Sequence, residues 1–163
     1  MDQPTVRKTF KYRLHPTAEQ EGTMKFVLRR CCELYNAGLE ERREAWRMCH
    51  ASSTAAGQSA QLPDIKEVRP EYRDIHSQVL QYVLTRLDRA FQTFFRRIRE
   101  GRTPGYPRVH GNKRYHSFTY KQVGEHGGAR LDNGFLILSK IGRIAVRWSR
   151  PLDGTPKAVT VSR

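Results

Sequence analysis

Apolar and basic residues alternate at the start of the chain. Val6, Phe10, Tyr12 and Leu14 share one parity, while Arg7, Thr9, Lys11 and Arg13 share the other. Only Lys8 interrupts the apolar set. Period two with aromatic and β-branched residues predicts a strand over residues 5–14 with one wet, basic face. His15-Pro16 ends it, because proline cannot donate to a ladder. Thr17 followed by Gln20 is a capping-box pattern. Met24, Val27, Leu28, Cys31, Leu34, Tyr35 and Leu39 then recur with period 3.6, which predicts a helix over residues 18–48. Residues 50–62 are small, polar and without period, the signature of a mobile linker.

A second stripe runs through Ile75, Val79, Leu80, Val83, Leu84, Leu87, Ala90, Phe91, Phe94, Phe95 and Ile98. Asp74 is placed to cap this helix, and Gly101 to close it in the left-handed region. Its other face carries Gln81, Arg86, Arg89, Gln92, Arg96 and Arg97. The two apolar stripes should meet as an antiparallel helical pair. Short strands follow at 115–121, 129–131, 135–138, 143–148 and 158–161. Asp132-Asn133-Gly134 is a hairpin signal, and Ile141-Gly142 marks a second tight turn. A lone strand is not stable, so the first must rejoin the later ones. The expected fold is α+β: a small antiparallel β-barrel or sheet with a pair of long antiparallel helices inserted after its first strand. Residues 1–16 and 102–163 would form the β unit, and 17–101 the helical insert.

Charge sharpens this picture. Thirty Lys and Arg against sixteen Asp and Glu give a net charge of +14 over 163 residues. Clustered cations gain affinity for polyanions by releasing condensed counterions. Half of that excess falls in residues 96–121, where Arg96, Arg97, Arg99, Arg102, Arg108, Lys113, Arg114 and Lys121 face only Glu100. Tyr106, Tyr115, Phe118 and Tyr120 are interleaved with them. Basic side chains suit phosphates and aromatic faces suit unpaired bases, so the segment points to nucleic acid. Arg7, Lys11 and Arg13 form a second patch, which could equally be the charge protecting an edge strand. Arg29, Arg30, Arg42, Arg43 and Arg47 stand among Glu33, Glu40, Glu41 and Glu44, so helix-surface ion pairs account for most of that group.

Several chemistries lack their residues. No run of about 18 apolar residues is long enough to span a membrane, and the first residues lack the apolar core of a signal peptide. Cys31, Cys32 and Cys49 form no Cys-x-x-Cys pair. Their odd number points to reduced thiols and a cytoplasmic location. No histidines stand at His-x-His or His-x-x-x-His spacing, and no phosphate-binding glycine loop or nucleophile elbow is present. Asp132 and Asp153 sit in turn contexts beside glycines. Glu125-His126 is a lone adjacent pair, a weak acid–base candidate. The residues alone describe a chain that binds and does not cut.

The ordered motifs resemble the N-terminal half of TnpB (OrfB-type) proteins, transposon-encoded RNA-guided DNA nucleases. Lys8 through Thr17, with Gln20, looks like their opening strand, and Leu34-Tyr35-Asn36 like their first-helix signature. Gln78 through Phe94-Phe95-Arg96 looks like the helix that ends in an aromatic pair. Gly105-Tyr106-Pro107-Arg108 is the most specific match, although Val109 departs from the usual aromatic. Phe118-Thr119-Tyr120, Ile141 to Ile144 and Lys157 to Arg163 resemble the later strands. The resemblance implies a β-sheet wedge carrying a helical recognition insert. A RuvC-like nuclease domain and a zinc ribbon would follow, so Mg²⁺ and Zn²⁺ would be needed only there and no cofactor is expected in this chain.

The implied partners are duplex DNA beside a transposon end, a guide RNA and the nuclease domain. Motif reading would fall to Gln81, Thr119, Tyr120 and Ser77. Phosphate or RNA contacts would fall to Arg7, Lys11, Arg13, Arg86, Arg89, Arg96, Arg97, Arg108, Lys113, Arg114 and Lys121, with Tyr106 and Tyr115 for stacking. The rival expectations are a stand-alone basic regulator and an endonuclease with an unrecognised site.

Overall fold

The computed structural model describes residues 2–163. The α+β expectation holds. A helical region of α1 (Ala18–Cys49), α2 (Ala55–Ser59), α3 (Leu62–Val68) and α4 (Ser77–Arg99) follows a first short strand, β1 (Arg13–His15). Five strands complete the chain: β2 (Ser117–Tyr120), β3 (Ala129–Asp132), β4 (Phe135–Leu138), β5 (Gly142–Arg147) and β6 (Val159–Ser162). They form two antiparallel sheets, β1-β5-β4-β3 and β2-β6, rather than a closed barrel. The Asn133-Gly134 signal gives a tight hairpin with both residues at positive φ, 48° and 79°. Those values are what the two central positions of a type I′ turn require.

The opening alternation yields less strand than its length suggests. β5 offers β1 only three partners, Ala145 to Arg147, so pairing begins at Arg13. Ahead of it, Tyr12 sets its ring edge-on to Trp148 at 4.8 Å and Phe10 lies under Arg150. Val6 is exposed. The apolar parity is thus used by side-chain contacts past the end of the ladder. The capping box does form: the Thr17 hydroxyl accepts from the Gln20 backbone N–H at 3.2 Å, and Gln20 Oε1 accepts from the Thr17 N–H at 3.0 Å. Gln20 Nε2 also donates to the Arg143 carbonyl at 2.6 Å, which fixes the start of α1 against β5.

The long helices meet along their stripes but run in the same direction. Gly38 faces Leu84 and Leu87, and one turn later Arg42 reaches Asp88 and Phe91. Both helices therefore advance together, against the expected antiparallel pairing. The cause lies in residues 50–76, which fold back along α1 instead of forming a mobile linker. Thr54 caps α2 by accepting from Gly57 N–H at 3.0 Å. Gln58 is buried and donates to the Gly38 carbonyl at 2.9 Å. Leu62 and Tyr72 are buried, and the Arg69 guanidinium pairs with Glu33 at 2.7 Å. The chain has then returned to the level of residue 30, where α4 begins. Its cap is His76, whose Nδ1 accepts from Gln78 N–H at 3.2 Å, and not Asp74, which belongs to a 3₁₀ turn over Pro70–Asp74.

Close packing at the helix crossing depends on Gly38. A methyl group there would lie 2.9 Å from Leu87 Cδ2 and 3.3 Å from Gln58 Nε2. The core continues from α1 and α4 into β2, where Phe118, Thr119 and Tyr120 are buried in succession. A strand covered on both faces loses its alternation.

Candidate nucleic-acid interface

The basic stretch after α4 is anchored by the Leu34-Tyr35-Asn36 signature. The Asn36 amide binds His110 as a backbone strand would: Nδ2 donates to the His110 carbonyl at 2.8 Å and Oδ1 accepts from its N–H at 2.9 Å. The Cys32 thiol donates to the same carbonyl at 3.3 Å, and the Tyr35 ring meets the His110 ring edge-on at 4.8 Å. At the far end Arg163 donates to the carbonyls of Asn112 and Tyr115 at 2.6 and 3.3 Å. Residues 102–116 are therefore held to α1 at His110 and to Arg163 at Asn112 and Tyr115, although they contain no helix or strand.

Between this segment and α4 lies an open groove of about 530 Å³, lined by Tyr82, Arg86, Arg89, Ala90, Thr93, Gly105 and Pro107. The polar residues of α4 line up along it. Tyr82 sits between two cations, with the Arg89 guanidinium 5.5 Å and the Lys121 ammonium 5.7 Å from its ring. Arg89 donates to the Tyr82 hydroxyl at 3.2 Å, and Lys121 donates to Thr85 at 3.4 Å. Tyr82, Gln78 and Gln122 escaped the sequence reading. Gln78 Nε2 donates to Gln122 Oε1 at 2.8 Å while Gln78 Oε1 is buried without a partner. A polar residue next to an apolar stripe was the available signal for Tyr82. None existed for the Gln78–Gln122 pair, which joins two distant elements.

The proposed contact residues separate into two groups. Arg89, Arg96, Arg108, Lys113 and Arg114 are exposed, as are Arg7, Lys11 and Arg13 on the far side of the sequence. Gln81, Arg97 and Lys121 are half-buried. Ser77 is exposed and accepts from Lys66 Nζ at 2.7 Å. Arg86 is turned inward. It donates to the Ser117 carbonyl at 2.9 Å and lies 4.8 Å over the Tyr115 ring, so its first task is to bind β2 to α4.

Three of the expected contact residues are buried. Tyr115 is 2% exposed and enclosed by Tyr35, His110 and Arg86, so no base can stack on it. Thr119 is held by the Thr160 hydroxyl at 2.8 Å, and the Tyr120 hydroxyl donates to the Ser139 carbonyl at 2.8 Å. Both belong to the core. Tyr106 stays accessible.

The other sequence candidates fall where surface chemistry puts them. Arg30–Glu33, Arg43–Glu40 and Arg47–Glu44 are ion pairs on α1. Arg42 is the exception, being buried against Gln58 and Asp88. Burial pushes the Cys31 thiol up to about 12, so it stays protonated. Among the described residues no three His, Cys, Asp or Glu side chains converge as a metal site would. Glu125 and His126 are exposed. Among the described residues no helix is long and apolar enough to cross a membrane.

Two histidines give the assembly a pH dependence. Burial, with Lys140 and Lys66 nearby, holds His76 below its usual 6.5. Burial, with Arg86, Arg114 and His116, does the same to His110. A depressed histidine contributes stability that is complete above the unfolded value and is lost as pH falls towards the folded one. Denaturant unfolding should therefore show stability falling as the pH drops below the ordinary histidine range. His76→Asn keeps a capping acceptor without a titrating ring and should remove part of that fall. An unchanged unfolding midpoint over that drop in pH would exclude the effect.

The elements assembled so far define a class: a helix-led, strongly basic α+β chain with a cation- and aromatic-lined groove along its last helix. Residues 1–49 match the family described as a helix-turn-helix domain of the OrfB type of IS605 elements. In this chain those residues form one short strand and one uninterrupted helix. The chain is also 30% identical over 97% of its length to a protein of Streptomyces pristinaespiralis named "Putative RNA-guided DNA endonuclease". It is 29% identical over 96% of its length to InsQ of Escherichia coli K12, which carries the same designation. It spans 39% and 37% of those two relatives. These matches agree with the resemblance to OrfB-type proteins read above from ordered motifs.

Proposed function

We propose that this chain is the nucleic-acid-binding module of a transposon-encoded RNA-guided DNA nuclease, non-catalytic by itself. It would hold duplex DNA next to a transposon end and grip a guide RNA. Residues 1–16 with 102–163 would act as the wedge and 17–101 as the recognition insert, in a cytoplasmic protein. The observation that carries this reading is the groove along α4, where Tyr82, Arg89 and Lys121 sit beside the basic segment 96–114. The relatives named as RNA-guided DNA endonucleases support it. Gln81 has the half-exposed amide needed to read a base edge, and Ser77 stands one turn away. Gln122, which is exposed, is better placed for that role than the buried Thr119 and Tyr120.

Fluorescence anisotropy with transposon-end duplex and with the RNA transcribed from that end tests the reading. A module neutralising six to ten phosphates should lose roughly a thousandfold or more in affinity between about 50 and 200 mM salt. No binding at the lowest salt, or affinity indifferent to salt, would overturn it.

A further inference from the structure

The end of α4 carries an aromatic surface that neither the fold nor the groove uses. Phe91 is buried, and Phe94 is half-buried beside it. Phe95 and Ile98, one turn apart, are 51% and 50% exposed, and Tyr106 is 42% exposed. The Tyr106 ring stands edge-on to both Phe91, at 5.6 Å and 89°, and Phe94, at 5.2 Å and 79°. Phe95 leans on Phe94 at 5.4 Å and on Phe91 at 6.4 Å. These contacts hold the rings in place before any partner arrives, which lowers the ordering cost of binding.

The rim decides what such a surface can receive. Arg96, Arg97, Arg99 and Arg102 lie on the same two turns and the segment that follows. Among the described residues only Arg102 has a carboxylate partner, Glu100 at 3.6 Å. A second copy of this chain would bring the same guanidinium groups together, and like charges facing each other across an interface are unfavourable. An apolar peptide would leave them unanswered. The partner must be both polyanionic and flat-faced. Duplex DNA satisfies the first requirement and hides its base faces in the stack. Unpaired nucleotides satisfy both, and RNA is the nucleic acid whose loops and single-stranded stretches stand open.

We propose that Phe95, Ile98 and Tyr106 form a stacking platform for unpaired RNA bases, with Arg96, Arg97 and Arg99 taking the adjoining phosphates. The platform rests on the nucleic-acid reading above and assigns single-stranded RNA a place next to the Tyr82–Arg89–Lys121 groove, whose wall includes Gly105 and Pro107 on either side of Tyr106.

The test compares a uridine-rich RNA of about twelve nucleotides, the same sequence as DNA, and a duplex of similar charge. Phe95→Ala and Tyr106→Ala remove exposed rings, and circular dichroism checks that each variant is folded. Each should weaken RNA binding by roughly tenfold, because a stacked base is worth about 1–3 kcal/mol. The salt slope and the duplex affinity should not change. Phe95→Trp should restore the affinity, and its fluorescence should be quenched when the RNA binds. RNA affinity within twofold of the parent in both alanine variants overturns the platform while leaving the nucleic-acid reading intact. Equal losses on RNA and duplex also overturn it. Equal affinity for RNA and single-stranded DNA, lost together, overturns the assignment to RNA. A dimer in sedimentation that Phe95→Ala dissolves would show the surface to be an interface between copies. No binding of any nucleic acid by the parent chain removes both readings.

Discussion

Arg42→Met should lower the free energy of unfolding by about 3 kcal/mol, from the loss of one partner in a buried pair. The Arg42 side chain is 6% exposed and that of Asp88 22%, with 2.9 Å between them. Arg42 Nε also donates to Gln58 Oε1 at 2.8 Å, and its guanidinium lies 5.1 Å over Phe91. One side chain thus joins α1, α2 and α4. Methionine fills much of the volume but leaves Asp88 Oδ1 and Gln58 Oε1 without the donor Arg42 supplied, while Gln92 still donates to Asp88 Oδ2 at 2.7 Å. For a chain of this size the loss corresponds to a melting point lower by about 6–12 °C. Residues 50–68 should become sensitive to protease, since Gln58 is what fixes them to Gly38. Adding Asp88→Leu and Gln58→Leu should recover much of the loss, because a wholly apolar replacement removes the orphaned groups together with the charge. A single variant within about 0.5 kcal/mol of the parent, the range of ordinary surface changes, would mean that water reaches the pair.

Replacing Arg96, Arg97 and Arg108 together with glutamine should change binding and spare stability. Arg96 and Arg108 are exposed, and none of the three takes part in an ion pair among the described residues. Each lost phosphate contact should flatten the plot of log affinity against log salt by about 0.7–0.9. The triple variant should therefore lose roughly two to three units of slope, and its affinity at low salt should drop furthest. A slope equal to the parent's would place the phosphates elsewhere, with the Arg7–Lys11–Arg13 patch next in line. Arg86→Gln is the contrasting variant. Its contacts to Ser117 and Tyr115 make it a support for β2, so it should cost stability as well as affinity.

What could be read from the chain follows the range of the interactions. Thr17 with Gln20, Asn133-Gly134 and Gly101 are local signals, and each acts through groups a few residues away. They gave the cap, the hairpin and the left-handed helix end where expected. The stripe of α4 was legible because it repeats over six turns. Residues 50–62 were misread because their order comes from Gln58 meeting Gly38 and Arg42, contacts that composition does not record. The same omission produced the wrong helix direction, since a mobile linker does not fix where the second helix starts. Site residues followed the same division. Exposed arginines could be recognised from local charge, whereas Thr119, Tyr120 and Tyr115 read as available because their period and polarity do not show that β2 is covered on both faces. Asn36 shows the reverse case: its motif was visible, but its task of holding His110 needed the fold.

The pairing of β1 with β5 also bears on how the molecule is made. Arg13 finds its partner in Arg147, near the other end of the chain. Helices form from neighbours in sequence, while a contact so distant waits for a very long loop to close. During synthesis α1 can coil as soon as it emerges, yet its anchor on β5, the Gln20–Arg143 bond, has no counterpart until a further 123 residues have left the ribosome. In that interval the apolar stripe of α1 stays uncovered. The Gly38 face gains shelter from Gln58 and Leu84 well before the sheet is complete, so the order of birth along the chain becomes an order of protection.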